Sequence, residues 1–334
     1  MTRLRRLAAI LAGALLAPGA AVAQGRTAEP SLRLEAKIPL GSVRGRIDHM
    51  AFDLKRQRLF VAELGNDSVG IVDLVARKVL RRIEGLKEPQ GAGYEPVTDT
   101  LYIANAKDGS VRLFHGNDYA PAGEIALGED ADNIRIDTAA HRVLVGYGGG
   151  ALAVIDPSTR RKVGDIPLRA HPESFQLDSA TGHVFVNLPK VGAIAVVDSA
   201  TASQIANWPT GDRSANFPMA LDHAGRHVLA VFRTPATLGV FAMANGAPVA
   251  SVPSCGDSDD VFVDAGRQRA YVSCGEGFLD VFDMKGGAYV RLAHIPTAAG
   301  ARTSLFVSEP DRLFLAVPAR AGTPAAIWVY RPTP

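Results

Sequence analysis

Cysteine is nearly missing from this chain: 334 residues hold only Cys255 and Cys274. Two thiols exclude a scaffold built on disulfides and a four-cysteine zinc site. No Cys-x-x-Cys-His run is present, so covalent haem attachment is unsupported, and without Gly-x-Ser-x-Gly there is no serine-hydrolase elbow. After residue 23 no apolar run is long enough to span a membrane, and no run of basic residues offers a footprint for nucleic acid.

The first 23 residues differ from the rest. MTRLRR is followed by LAAILAGALLAPGAAVA, which ends in Ala21-Val22-Ala23. A basic, then apolar, then Ala-x-Ala order is that of a secretory signal peptide, with cleavage expected after Ala23. Gly13, Pro18 and Gly19 break the apolar stretch, which argues against a stable membrane span. No cysteine follows the cleavage site to accept a lipid. Arg5-Arg6 reads as a plain basic region rather than a twin-arginine signal. The expectation is a periplasmic or secreted monomer. Of 36 basic residues, the three leader arginines go and 33 remain against 34 acids, so the pI of the whole chain misleads. Residues 24–31 are a polar stretch expected to form a flexible N-terminal tail. In an exported chain, Cys255 and Cys274 either bridge or remain free thiols; paired strands about Gly266-Arg267 set Cys274 opposite Asp259, and a loop curling back would join the sulfurs.

What is abundant is repetition. Asp53, Glu95, Asp137, Asp178, Asp222, Asp264 and Ser308 recur every 41 to 44 residues, each between two short apolar runs. A period near forty with about four strands per unit specifies a β-propeller, one blade per repeat. In the first repeat the strands are Met50–Asp53, Arg58–Ala62, Ser68–Leu74 and Lys78–Ile83. The inner strands MAF, GAGY, IRI, FQL, MAL, VFV and LFV read as nearly continuous apolar sequence, as expected of strands packed on both faces. The anchor acids open turns by accepting backbone hydrogen bonds, and Asp73, Asp156, Asp198 and Asp283 do the same after third strands. The last repeat lacks an outer strand, and Arg33–Leu40 supplies it. The fold class is therefore all-β: residues 32–334 form one seven-bladed propeller of four-stranded antiparallel blades, the last closed by the N-terminal strand.

RLFVAELGNDSVGIVDL, TLYIANAKDGSVRLF, HVFVNLPKVGAIAVVDSATASQI and RAYVSCGEGFLDVFD resemble the YVTN-type repeat of YncE-like propellers. The resemblance covers nearly all of residues 33–331 and implies an exported seven-bladed propeller. Its motif consists of strand and turn residues, so it speaks for architecture and hardly for activity. Members of this broad group are linked to DNA binding and cell-surface scaffolding, and neighbouring families to lactone hydrolysis or redox partnership. The charge balance speaks against DNA.

Counting four to seven residues back from each anchor samples the rim of the central channel. It yields Arg46, Asp48 and His49, then Glu88 and Gln90, then Asp130, Asp132 and Asn133. Blade four adds His171, Glu173 and Ser174, blade five Asn216, blade six Asp257, Asp259 and Asp260, and blade seven Arg302 and Thr303. Only His49 and His171 among eight histidines share the rim, and they are the candidate catalytic bases. With Asp132, Glu173 and Asp259 they form a donor set suited to a divalent metal ion. As a ligand pocket, the rim offers Asp48, His49, Asn133 and Asn216, with Arg233, Arg302 and Arg320 placing positive charge opposite the acids to clamp an anion. Loop polarity alone also accounts for many of these residues. The favoured reading is a module that binds a small molecule or a protein at the rim. A metal-assisted hydrolase or lyase of lactone type and an accessory partner of a redox enzyme are the alternatives.

Overall fold

Seven antiparallel four-stranded sheets stand in a ring, six of them with their strands in sequence order from the channel outward. The computed structural model describes residues 30–320 and 322–334. The expected leader and residues 24–29 of the expected tail lie outside the described residues. The innermost strands are Met50–Asp53, Pro89–Glu95, Ala131–Asp137, Phe175–Asp178, Ser214–Asp222, Ser258–Asp264 and Thr303–Val307. In the first blade the remaining strands run Arg58–Glu63, Ser68–Asp73 and Lys78–Glu84, within a residue of expectation.

The seventh blade is closed from the other end of the chain. Leu32–Gly41 pairs antiparallel with Ala325–Pro332, Leu32 opposite Pro332 and Ile38 opposite Ile327. Thr333 extends the join, donating its N–H to the Ser31 carbonyl and its hydroxyl to that of Pro30. Every blade thereby has an outer strand, and the ring has no open inner edge.

The core lies between blades. Phe60 and Ile71 of blade one meet Leu101 and Ile103 of blade two, and every residue of Thr100–Asn105 is buried. Second strands are thus covered on both faces, which accounts for their apolar run. Innermost strands depart from the expectation of continuous burial. Phe52, Tyr94, Arg135 and Gln176 line the channel and are only half-buried.

The anchor acids act as turn formers. Asp53 accepts from the Arg56 N–H at 3.0 Å, Glu95 from Val97 at 2.9 Å and Asp222 from Gly225 at 3.0 Å. Four residues after each acid anchor the chain turns left-handed, at Gln57, Asp99, His141, Gly182, Arg226 and Gln268, and only one of these is glycine. A left-handed residue at a fixed offset closes each hairpin in the twist its strands require.

Cys255 and Cys274 are joined, with Cα atoms 5.8 Å apart. The register behind the bridge differs by one residue from expectation: Cys274 lies opposite Ser258, not Asp259, because a bulge between Ser258 and Asp260 takes up one residue. Closing this short loop contributes about 3 kcal/mol in the chain-entropy account. Among the described residues no helix is long and apolar enough to cross a membrane.

Candidate functional site

Bulges build the mouth of the channel. The innermost strands of blades two, three, five and six each slip register at the top, between Pro89 and Gly91, Ala131 and Ile134, Asn216 and Met219, and Ser258 and Asp260. A bulge leaves its residue outside the ladder and re-aims the side chain. Gln90, Asp132, Asn133 and Asp259 are such residues. Two positions before each bulge the backbone is left-handed, at Glu88, Asp130, Ala215 and Asp257, so one entry turn recurs around the rim. Blades two and three approach closely there: a Cβ on Gly91 would fall 1.9 Å from the Asp132 carbonyl oxygen, so only glycine fits.

Charges from four blades then interlock. Arg46 Nη2 lies 2.8 Å from Asp48 Oδ2 and 3.9 Å from Asp259 Oδ2. His49 stands between Asp48 at 3.9 Å and Asp260 at 3.6 Å. Arg233 and Arg302 both grip blade six: Arg233 donates to Asp259 at 2.7 Å, and Arg302 to Asp257 at 2.9 and 3.1 Å. The arginines are therefore interleaved with the acids. The expected division into a basic arc opposite an acidic one does not form, because Asp257 and Asp259 lie between the two guanidinium groups. Arg320 stands apart, exposed and hydrogen-bonded to the Ala299 carbonyl.

Burial shapes the protonation of this cluster. Asp48 is pushed up to about 7 by desolvation, against the opposing pull of His49 and Arg46. Glu173 is pushed up to about 8 by desolvation and by the charges of Asp132 and Asp259. Desolvation also raises Asp132 and Asp260. For His49 desolvation works downward, but Asp260, Asp48 and Asp132 outweigh it and lift the imidazole to about 10, so it is a cation at neutral pH.

Several buried oxygens in this cluster lack a directed donor. They include both oxygens of Asp48, Oδ1 of Asp132, Asn133 and Asn216, and Oδ2 of Asp259. The Arg46 guanidinium is close to Asp48 but not aligned for a hydrogen bond, so the ion pair leaves the demand unmet. Buried acceptors without donors are costly, and a cluster of them marks where a donor-bearing group belongs.

The two candidate bases part company. His171 donates Nδ1–H to the Gly148 carbonyl at 2.6 Å and faces Asp130 at 3.5 Å, whereas His49 stands between Asp48 and Asp260; Asp132 feels both imidazoles. Asn216 is tied to Asn187 Oδ1 at 2.9 Å and to the Ala193 carbonyl at 3.0 Å, bracing blade five against blade four. Among the described residues no three His, Cys, Asp or Glu side chains are arranged to hold a metal ion. Of the residues expected to form one, Asp259 is engaged by Arg233 and Arg302, and His171 by a backbone carbonyl.

Below the mouth the channel encloses about 420 Å³ and is lined from all seven blades. Its wall is about as polar as it is apolar: Phe52, Ile134, Leu177, Leu221, Val261 and Leu305 share it with His49, Tyr94, Asp260 and Ser304, and with Arg135 and Gln176. Both escaped the sequence reading, which treated IRI and FQL as plain inner strands. A signal was available: Arg135 is the one charged residue among the seven inner-strand motifs.

No family model matches the chain, and no curated protein matches it. Among solved structures, hydrazine synthase of Kuenenia stuttgartiensis is similar, with a TM-score of 0.74 over 84% of this chain and 97% of that one at 17% identity. At that identity the likeness is one of fold alone: both chains build a β-propeller.

Proposed function

We propose that this protein is an exported binding module of the YVTN, YncE-like kind, and that its channel mouth takes a small, donor-rich organic cation such as an amine. The observation that carries the reading is the group of donor-less buried oxygens on Asp48, Asp132, Asn133, Asn216 and Asp259. An ammonium group has several donors and no acceptor, which suits that demand. Charge agrees: Asp48, Asp132, Glu173, Asp257, Asp259 and Asp260 stand with Arg46, His49, Arg233 and Arg302. The excess is acidic, and it resides on carboxyls that burial holds partly protonated. A bound cation gives these groups the partner they lack and lets them ionise.

The test is calorimetric titration of the mature protein with putrescine. Saturable binding that weakens about tenfold in Asp48→Asn and in Glu173→Gln, with both variants melting cooperatively, supports the proposal. Affinity unchanged in both variants, or no binding of putrescine by the wild type, counts against it.

A further inference from the structure

The channel holds a guanidinium whose charge no acid answers at close range. Arg135 sits on the innermost strand of blade three, three residues below Asp132, and lines the channel between Ile134 and Ile136. It donates to the Ile134 carbonyl at 2.8 Å and to Ser174 Oγ at 3.1 Å, and its Cζ lies 5.4 Å from the centre of the Phe175 ring. Among the described residues no carboxylate oxygen lies within 4.0 Å of it, whereas Arg46, Arg233 and Arg302 at the mouth each have an acidic partner. Asp132 and Asp260 influence it from farther away, and Asp260 is already engaged by His49 and by the Ser304 N–H at 2.8 Å.

A guanidinium has five donors, and two hydrogen bonds to neutral oxygens leave most of its capacity unused and its charge without a carboxylate in contact. A charge partly withdrawn from water gains from a close counter-charge, and the fork of Arg suits the two oxygens of a carboxylate. Around it Ala92, Ile134, Ile136, Leu177, Ala220 and Val261 supply hydrocarbon, while His49, Tyr94, Asp260 and Ser304 add polar groups to the same wall. At about 420 Å³ the space falls within the range of small-molecule pockets, roughly 300–1,000 Å³. Nearby, Gln176 donates its amide N–H to the Met219 carbonyl at 2.8 Å, and His49, which also lines the cavity, is paired with Asp260 at 3.6 Å, so Arg135 is the cation of the wall left to orient an anionic guest.

We propose that the channel interior is a binding site for a small organic monoanion, a carboxylate with an apolar body, whose carboxylate pairs with Arg135 while its hydrocarbon lies along the channel wall. This site lies below the cation site at the mouth and borders it at His49 and Asp260, which line the same cavity; the two proposals rest on different groups, and either can fail without the other.

Hexanoate and benzoate are the probes, titrated into the wild-type protein beside hexanamide and benzamide, their uncharged twins. The expected result is saturable binding of the acids, with each amide at least about tenfold weaker, because the amide cannot pair with the guanidinium. In Arg135→Gln the acids weaken by about the same factor and the preference for acid over amide disappears. In Arg135→Lys, which keeps the charge and loses the fork, an intermediate affinity is expected. Equal affinity for acid and amide in the wild type overturns the proposal, as does no saturable binding of either acid. So does undiminished acid binding in a folded Arg135→Gln. The comparison within the wild type needs no variant, and putrescine titration of the same preparations reports on the mouth separately.

Discussion

Ala202 carries its Cβ through a left-handed turn at φ 51°, four residues after Asp198, with its side chain exposed. In that conformation a Cβ crowds the neighbouring carbonyl, at a cost of roughly 1–2 kcal/mol, part of which glycine gives back through its freer unfolded chain. Ala202→Gly is therefore expected to raise stability by up to about 1 kcal/mol in chemical denaturation. The titrating residues of the mouth give a second expectation. Asp48 and Glu173 rise from 3.8 and 4.5 to about 7 and about 8 in the folded chain, so folding takes up protons that the unfolded chain has released. Their contribution is most favourable below the unfolded values and is lost as pH rises through 7 and 8. His49, raised from 6.5 to about 10, contributes stability that is complete below 6.5 and lost through 10, which has the same sign. The melting temperature of the ligand-free protein should fall between about pH 5.5 and pH 8.5, with a shallower slope in Asp48→Asn. A flat or rising profile would contradict this account of the buried carboxyls. At this scale the turn acids were legible, because Asp satisfies local backbone donors wherever it sits. The left-handed residues after them were not, since Gln57, His141 and Arg226 carry no compositional mark of that backbone.

Between elements, one clamp occurs twice. In Asp53-Leu-Lys-Arg56 and Asp264-Ala-Gly-Arg267 the arginine bonds its own anchor and then reaches the left-handed residue of the next blade, Asp99 or Asp311, with two bonds each of 2.6 to 2.8 Å. The clamp locks neighbouring blades at the end of the ring opposite the mouth. Both partners are partly solvated, so Arg267→Ala should cost about 1–2 kcal/mol and leave putrescine binding unchanged, measured by denaturant unfolding and titration on one preparation. The strands themselves were readable to within a residue in blade one, from turn residues bounding apolar runs. The bulges were not. A one-residue slip at Asp132 or Asp259 depends on how adjacent blades meet, as the close approach of Gly91 to the Asp132 backbone illustrates, and no local sequence signal records that.

Across the whole molecule, blade number and closure followed from the forty-residue period and the missing last strand, both properties of the chain as a line. Which rim residues become partners did not, because Arg46, Glu173, Arg233 and Asp259 come from four different blades. Closure is testable. Removing residues 32–40 exposes the Ala325–Pro332 edge and withdraws the buried side chains of Leu32, Ile38 and Leu40. At about 1.5–3 kcal/mol for each, stability should drop by roughly 5 kcal/mol or more. An unchanged melting temperature would refute closure by this strand.

The central claim is that the mouth holds protonated, under-bonded carboxyls awaiting a cation. Calorimetry of putrescine binding at about pH 7 in two buffers of different ionisation enthalpy tests it most directly. Release of up to about one proton per cation bound, with affinity rising toward pH 8, is the predicted result. Binding without proton release, or with proton uptake, would contradict it.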